Sequence, residues 1–417
     1  MKGLGRGFKR LTRVEDGLNK FLMYIKTVED VETVSLNQLT GRVLAEDIVS
    51  PVDVPNFNRS AMDGYAVISS DVVSASMDNP VRLRLVGRST TSNPYEGDLR
   101  SGEAVKVDTG AIIPRNADAV VMLEYAGESG GYVDIYMNVG RYENVSLKGE
   151  DIKKGDVVAP RGRLVTPHDL MALSSLNIDE FKVYRKVRIG IMAFGSELVD
   201  SHPTPEGKVR EVNRLFITNA LTDYPVICRD YGIIDDNLDD IRDAILKSIS
   251  ENDLTISFGG TSLGEGDLVR DVVDDIGQTI VHGVALQPSK PVLLALVKDK
   301  PYIGLPGYPV AVAISTEVFV YPVLSRLAGI KGIYIPRRLK GVLTRRVPSK
   351  IGLKHFVRVR AVARDQVYIE PVYASGAGVT SSLTLADGYL VIDEDREGYG
   401  EGEYVDVMLY RRFIDYV

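Results

Sequence analysis

The sequence predicts a multi-domain protein of the α/β class, built around a largely parallel sheet. Three observations predict it. From about residue 187, strand-like and helix-like segments alternate, as βαβ units require. Two long stretches, about 50 to 150 and from about 334 onward, read instead as β. And 417 residues favour several domains over one.

In chain order, Thr12 with Glu15 makes a capping box, and Val14, Leu18, Phe21, Leu22 and Ile25 then form one helical stripe. This first helix is too short to be a domain and must pack on something. Between 50 and 150, Val81, Leu83 and Leu85 alternate with arginines, Ala119–Leu123 is a compact apolar strand, and Tyr132–Met137 alternates after the turn Glu128–Gly131. Thr166-Pro167-His168-Asp169 starts a helix that runs to about Leu176, with threonine at the N-cap and proline at the first position. The alternating series then reads as strands at Val187–Ala193, within Val226–Ile234, and at Leu254–Phe258, Val292–Val297 and Tyr302–Leu305. Helices are expected at Asn213–Thr222, Leu238–Ile249, Leu268–Ile276 and Ala311–Leu327, covering both faces of the sheet. In the tail, Phe356–Val362, Val367–Val372 and Tyr404–Leu409 read as strands of a small barrel. No fixed-period repeat and no low-complexity segment interrupts this pattern.

Composition excludes several classes. Apolar residues make up 44%, enough for ordinary cores. Net charge is −7, which disfavours nucleic acid and anionic membranes as bulk partners. The basic start, Met1 to Arg10, is followed by polar residues rather than a signal-peptide apolar core, and the longest apolar runs are too short for a bilayer. A single cysteine, Cys228, fits a reducing compartment, so a cytoplasmic protein is expected, with Cys228 in the core. Four scattered histidines give no zinc spacing. There is no Walker lysine loop, no His-Glu-x-x-His and no Gly-x-Ser-x-Gly elbow. Gly3, Gly5 and Gly7 follow no strand and read as a tail, not a dinucleotide loop.

Ligands of an open parallel sheet bind beyond the carboxyl ends of its strands. Four loops fall there: Phe194-Gly195-Ser196-Glu197-Leu198, Asp235-Asp236, Gly259 through Asp267, and Gly304-Leu305-Pro306-Gly307. Glycines let backbone N–H groups approach phosphate, and carboxylates on the same rim suit a hard cation such as Mg²⁺. Alone, Asp235-Asp236-Asn237 reads as a helix cap, and Glu197 fits either role. The loop 259–267 spends four glycines in nine residues, which points to function. The stretches 56–66 and 109–121 read as an ordinary loop and a hairpin by composition. Lys290, between two prolines in Gln287-Pro288-Ser289-Lys290-Pro291, is equally an anion contact or a surface lysine.

Taken together, these segments resemble the molybdopterin molybdenumtransferase family, the MoeA proteins and the E domain of gephyrin. The resemblance is carried by Ser60-Ala61-Met62-Asp63-Gly64-Tyr65-Ala66, by Thr109-Gly110-Ala111 through Ala117-Asp118-Ala119-Val120-Val121 to Glu124, and by Lys148-Gly149-Glu150-Asp151. The loop 259–267, Gly304-Leu305-Pro306-Gly307, and Ser375-Gly376 through Ser382-Leu383 to Ala386-Asp387-Gly388 complete it, in the family's order.

The resemblance implies a molybdopterin-binding, MogA-like α/β domain from residues 8–27 and 187–333. It further implies a linking domain from 28–48 and 152–186, an inserted β-rich domain at 49–151, and a C-terminal β-barrel at 334–417. It implies a homodimer whose cleft lies between the α/β domain of one subunit and the inserted and C-terminal domains of the other. The implied reaction consumes adenylylated molybdopterin and molybdate, with Mg²⁺ or another divalent cation assisting release of AMP. By motif match, Glu197, Asp236 and Asp267 serve the cation and phosphates, while Asp63, Thr109 and Asp151 act from the facing subunit. Ser60, Gly259, Gly260, Ser262, Gly264, Lys290, Pro306, Gly307 and Ser375 contact substrate by the same match.

The chain departs from the family pattern at Phe194, Val212, Phe258, Gln287, Ser289 and Tyr308, where the family usually has Thr, Thr or Ser, Ser, Lys, Gly and Asn. Lost donors leave ligand groups unpaired, and Phe194, Phe258 and Tyr308 offer bulk that would fill a pocket. The retained acids favour a working insertase with a remodelled pterin pocket. The alternative is a paralogue that keeps fold and dimer as a scaffold or binds another ligand.

Overall fold

The computed structural model describes residues 11–260, 268–332, 335–372 and 376–411. At its centre is a six-stranded sheet: β1 (Val187–Phe194), β2 (Val226–Ile234), β3 (Leu254–Phe258), β4 (Gly277–His282), β5 (Leu293–Val297) and β6 (Lys300–Leu305). The spatial order is β2-β1-β3-β6-β5-β4. Four neighbours, β2, β1, β3 and β6, run parallel, with Ile189 opposite both Cys228 and Leu254. The other two pairings are antiparallel, so the largely parallel sheet carries an antiparallel edge.

The reason lies in two residues. Lys298 and Asp299 connect β5 to β6, and both have positive φ, 49° and 62°. Such a two-residue connection joins only antiparallel strands. Because neither residue is Asn or Gly, the turn is silent in the sequence. The edge strand β4 was also missed: it follows the helix Leu268–Ile276 without a break.

Alternate residues of β1 serve opposite faces, as strand geometry demands. Ile189, Ile191 and Ala193 join Phe258, Ile217 and the helical residues Val310 to Leu327 in one core. Met192 and Phe194 pack on the other face, against Ile241, Ile245 and Ile249 of the helix Leu238–Glu251 and Val269, Val272 and Val273 of Leu268–Ile276. Both faces are thus dry, which explains why these strands read as continuous apolar runs. The segment Pro309–Leu327 is long and apolar enough to cross a membrane, but 67% of its most apolar window is buried inside the protein. Cys228 lies within β2, half-buried against the first core.

The first helix, Val14–Leu22, packs Val14 and Phe21 onto that core. Its expected capping box is not formed. Thr12 instead bridges to Val284, donating its N–H to the Gly283 carbonyl, so the N-cap is Arg13 and has no side-chain cap. Glu15 turns outward to Lys354. By contrast, Thr166 is the N-cap of the helix Pro167–Leu173 as expected, and it forms a box with Asp169.

Two distant stretches build a smaller core. Val31–Ser35 pairs with Glu180–Tyr184, and Ile48–Val49 with Val157–Ala159, burying Leu39, Leu44, Leu173 and Phe181. Between them in sequence lies a second six-stranded sheet, formed by Gly64–Val67, Val81–Ser89, Glu103–Val107, Ala119–Met122, Ala126–Ser129 and Tyr132–Ile135. At the C-terminal end, Lys354–Ala363, Val367–Pro371, Arg337–Leu343, Tyr404–Leu409 and Gly388–Ile392 pair in turn. The last of these pairs back with the first, closing the barrel.

Two ion pairs of one arginine tie the start of β1 to its surroundings. The Arg185 guanidinium meets Asp253 at 2.7 Å and Asp30 at 2.7 Å. Burial alone would raise the Asp253 pKa, but the Arg185 contacts and the Arg188 N–H outweigh it and hold it below its ordinary value. A carboxyl depressed on folding stabilises above its unfolded pKa, and the gain is lost as pH falls through the folded value. Asp253→Asn should therefore cost about 1.5–3 kcal/mol at pH 7. In urea melts, its deficit relative to wild type should shrink as pH falls below about 4. A deficit that is constant from pH 7 to 3 would refute this role. Phe194→Ala and Phe258→Ala should each cost about 3–5 kcal/mol in the same assay, since both side chains are 2% exposed or less.

Candidate active site at the rim of the central sheet

Because β2, β1, β3 and β6 are parallel, their carboxyl ends lie along one edge, and the loops that follow meet there. Backbone bonds sew these loops together. Gly195 donates to the Ile234 carbonyl at 3.3 Å, and Gly259 to the Leu305 carbonyl at 3.0 Å. Gly259 and Gly260 have φ of 84° and 66°. A Cβ at Gly259 would collide with the Phe194 carbonyl oxygen, and one at Gly260 with the Val269 side chain. The demand for glycine at these two positions is therefore met inside the protein, before any ligand is considered.

The carboxylates sort themselves. Asn237, not Asp236, caps the helix Leu238–Glu251, accepting the Asp240 N–H at 2.9 Å. Asp236 instead accepts the Ser196 N–H at 3.2 Å, which brings it to the loop that carries Glu197. Glu197 is exposed, and its carboxylate folds back over Gly195: a Cβ there would lie 2.9 Å from Oε2. Its carbonyl accepts the Val209 N–H at 2.9 Å, while Lys208 reaches the Ser196 carbonyl at 2.8 Å. Asp267, Ser262 and Gly264 lie outside the described residues. Among the described residues, no group of three or more His, Cys, Asp or Glu side chains could hold a metal.

A buried clamp that sequence reasoning missed fixes the fourth loop. Glu211 is 8% exposed and accepts N–H groups of Asn213 (2.7 Å) and Arg214 (3.1 Å) at the start of the helix Asn213–Ala220. The Arg214 guanidinium pairs with Glu211, Asp230 and Asp200. Asn213 Nδ2 then donates to the Gly307 carbonyl at 2.8 Å. This bond fixes the amide's orientation, since its other atom, Oδ1, is buried with no partner among the described residues. The available signal was Glu211-Val212-Asn213-Arg214, with an acid two residues ahead of a helix start. Pro306 is buried and Gly307 exposed, so the turn presents its glycine at the rim.

A second cluster lies on the inserted domain. Asp63 accepts both the backbone N–H (2.6 Å) and the hydroxyl (3.0 Å) of Thr109. These two bonds lower the carboxyl's pKa and keep it ionised. Ser60 is 1% exposed, and its hydroxyl donates to the Met62 carbonyl. It shapes the loop rather than facing an anion. Asp151 is exposed, anchored through its N–H to the Val54 carbonyl at 3.1 Å, and Lys148 lies 3.4 Å from Asp53. No hydrogen bond among the described residues joins Asp63, Thr109 or Asp151 to the rim loops. Lys290 is exposed, while its carbonyl accepts the Val284 and Val292 N–H groups at 2.9 and 3.0 Å. Ser375 lies outside the described residues.

The six departures separate into three kinds. Phe194 and Phe258 lie in the two cores, on opposite faces of the sheet, and fill no cleft. Gln287 belongs to the join with the barrel, and Ser289 lies against the helix Pro309–Ser315. Gln287 pairs with His355, and Ser289, at φ 112°, hydrogen-bonds Ser315 through its hydroxyl. Val212 and Tyr308 are the exposed pair, at the N-caps of Asn213–Ala220 and Pro309–Ser315. Tyr308 borders Gly378, whose added Cβ would sit 3.3 Å from its ring, and Val310 donates to the Ala377 carbonyl at 3.1 Å. The C-terminal domain thus reaches the rim.

Comparison with known proteins agrees with this architecture along the chain. Residues 12–177 match the MoeA N-terminal region (domain I and II), 190–326 a probable molybdopterin binding domain, and 340–410 the MoeA C-terminal region (domain IV). A molybdopterin biosynthesis protein of Methanocaldococcus jannaschii is 37% identical, over 95% of this chain and 96% of its own. The molybdopterin molybdenumtransferase of Haemophilus influenzae is 31% identical, over 94% and 97%. The crystal structure of the molybdopterin biosynthesis moeA protein of Pyrococcus horikoshii OT3 superposes with a TM-score of 0.85 at 30% identity, covering 96% of this chain and 100% of that one. The chain belongs to the MoeA family.

Proposed function

We propose that this protein is a molybdopterin molybdenumtransferase of molybdenum cofactor biosynthesis, which inserts metal from molybdate into adenylylated molybdopterin and releases AMP. The observation that carries the reading is the convergence of Asp236, Glu197 and two glycine turns on one rim of the sheet. Phosphoanhydride cleavage demands neutralised charge and positioned N–H donors, and the turns at Gly259 and Gly307 supply backbone there. The scaffold alternative drew on aromatic bulk in the pocket, and two of its three aromatics are core residues.

The roles follow from the chemistry of each group. Oxygen donors on adjoining loops fit a hard divalent cation, which takes one or two carboxylates and completes its shell with water and substrate phosphate. Asp236 and Glu197 would hold it, joined by Asp267, and when bound it would supply Lewis acidity toward the phosphoanhydride. Asn213 holds the Gly307 turn still, so that its backbone is arranged before substrate arrives. Asp63, ionised and fixed by Thr109, would meet the substrate's other end from a second copy of the chain, together with Asp151. Lys290 and Ser375 would contact anionic groups. The proposed domains are 8–27 with 187–333, 28–48 with 152–186, 49–151 and 334–417, assembled as a homodimer.

AMP release from adenylylated molybdopterin reads this out. Asp236→Asn should lower turnover by about 10–100-fold while leaving the thermal midpoint close to wild type. EDTA should abolish the wild-type signal, and Mg²⁺ should restore it. Wild-type turnover in Asp236→Asn, or turnover indifferent to EDTA, would refute the cation assignment. Asn213→Ala should lower stability by about 1 kcal/mol and also slow AMP release. If it melts lower but turns over normally, the clamp is purely structural.

A further inference from the structure

A helix start favours an N-cap side chain with an oxygen to offer, which Asn, Asp, Ser and Thr supply. Tyr308 holds that position before the helix Pro309–Ser315 and makes no capping hydrogen bond. Val212 holds it before Asn213–Ala220, where Glu211 receives the first N–H groups in its place. Burial does not account for either choice, since Tyr308 is 64% exposed and Val212 36%. The Tyr308 hydroxyl makes no hydrogen bond among the described residues. A large aromatic side chain therefore stands in solvent at the rim, without a cap, a core contact or a polar partner of its own.

The backbone beneath the ring is nevertheless fixed. Asn213 holds the Gly307 carbonyl at 2.8 Å on one side, and Val310 donates to the Ala377 carbonyl at 3.1 Å on the other. Pro309 favours the extended conformation that Tyr308 adopts, at φ −77° and ψ 126°. A Cβ at Gly378 would lie 3.3 Å from the ring's Cδ1 and 3.5 Å from its Cε1. Gly378 is not among the glycines with positive φ, so the nearby ring, not the backbone, favours glycine there. Val212 directly precedes Asn213, so the Asn213–Gly307 bond brings a second exposed apolar side chain to this part of the rim. A firmly mounted, exposed aromatic ring suits a flat heterocycle, which gains by stacking and needs no hydrogen bond from its platform.

We infer that Tyr308 is a specificity-determining residue whose ring stacks on a fused nitrogen heterocycle of the bound substrate, with Val212 beside it. This role rests on the reading of the rim as the substrate site. The proposed substrate carries two rings of that chemistry, the adenine of its AMP half and the pterin.

Calorimetric titration of the full-length protein with AMP and with 6-hydroxymethylpterin tests this, together with the KM for adenylylated molybdopterin in AMP release. Tyr308→Ala should weaken binding of one of the two rings about tenfold or more and raise KM in the same direction. Tyr308→Phe should match wild type, because stacking does not use the hydroxyl. Tyr308→Asn restores a capping side chain, so it serves if the alanine variant fails to fold, and it should bind as weakly. A loss confined to AMP names adenine as the stacked ring, and a loss confined to the pterin names the pterin. Either supports the inference. Unchanged binding and KM in Tyr308→Ala and Tyr308→Asn, with wild type still releasing AMP, would overturn it and leave the rim reading standing. A loss in Tyr308→Phe as large as in Tyr308→Ala would overturn it in favour of a hydroxyl contact. Normal ring binding in a Tyr308→Ala protein that falls apart into monomers would overturn it in favour of a subunit contact. A wild type that binds neither ring and releases no AMP would overturn the rim reading and this role together.

Discussion

Everything at the candidate active site depends on four strands running the same way. The parallel order of β2, β1, β3 and β6 places their carboxyl ends on one edge, so the loops at Gly195, Asp236, Gly259 and Gly307 become neighbours. Two backbone bonds, Gly195 to Ile234 and Gly259 to Leu305, then lock loop to strand. Antiparallel pairing at any of these positions would send one loop to the far edge. The β5–β6 hairpin is antiparallel, but β6 itself keeps the parallel direction, so its turn still reaches the rim.

Rigid support lies behind the loops. Glu211 and Arg214 are both buried, and a buried charge is tolerated only when paired and hydrogen-bonded. Here the pairing has a geometric product, because it sets the helix start from which Asn213 grips Gly307. Burial opposes the Arg214 charge, but Asp230 and Asp200 outweigh it and raise the pKa further. The guanidinium therefore stays charged at any working pH. This is how a charged network can serve position as well as stability.

Much of this was legible in the sequence, for identifiable reasons. Leu254–Phe258 and Leu268–Ile276 were read to the residue, because apolar runs and helical stripes have distinct periods. The Thr166 N-cap was legible because a threonine followed by proline and an acid marks a helix start. A related signal misled at Thr12, whose backbone was taken by a strand partner some 270 residues away, Val284. The turn at Lys298-Asp299 lacked the usual residue types, so the antiparallel half of the sheet was hidden. At the site, the loops were visible as glycine and acid clusters. What they contact was not: Phe194 and Phe258 looked like pocket residues, and only the face each takes on its strand shows them to be core. Asn213's grip on Gly307 spans 94 residues and leaves no local trace.

On the proposed reading, the sheet rim with Asp236 and the Asp63–Thr109 pair are two half-sites, and no hydrogen bond joins them among the described residues. A second copy of the chain would then complete each rim. Mixing Asp236→Asn protein with Asp63→Asn protein under conditions that exchange subunits tests this most directly. A mixed dimer would contain one doubly altered cleft and one intact cleft, so AMP release should reappear on mixing, toward half of the wild-type value per mixed dimer. Mixtures that exchange subunits yet stay as inactive as either variant alone would show that each site is built within one chain, and would contradict the account.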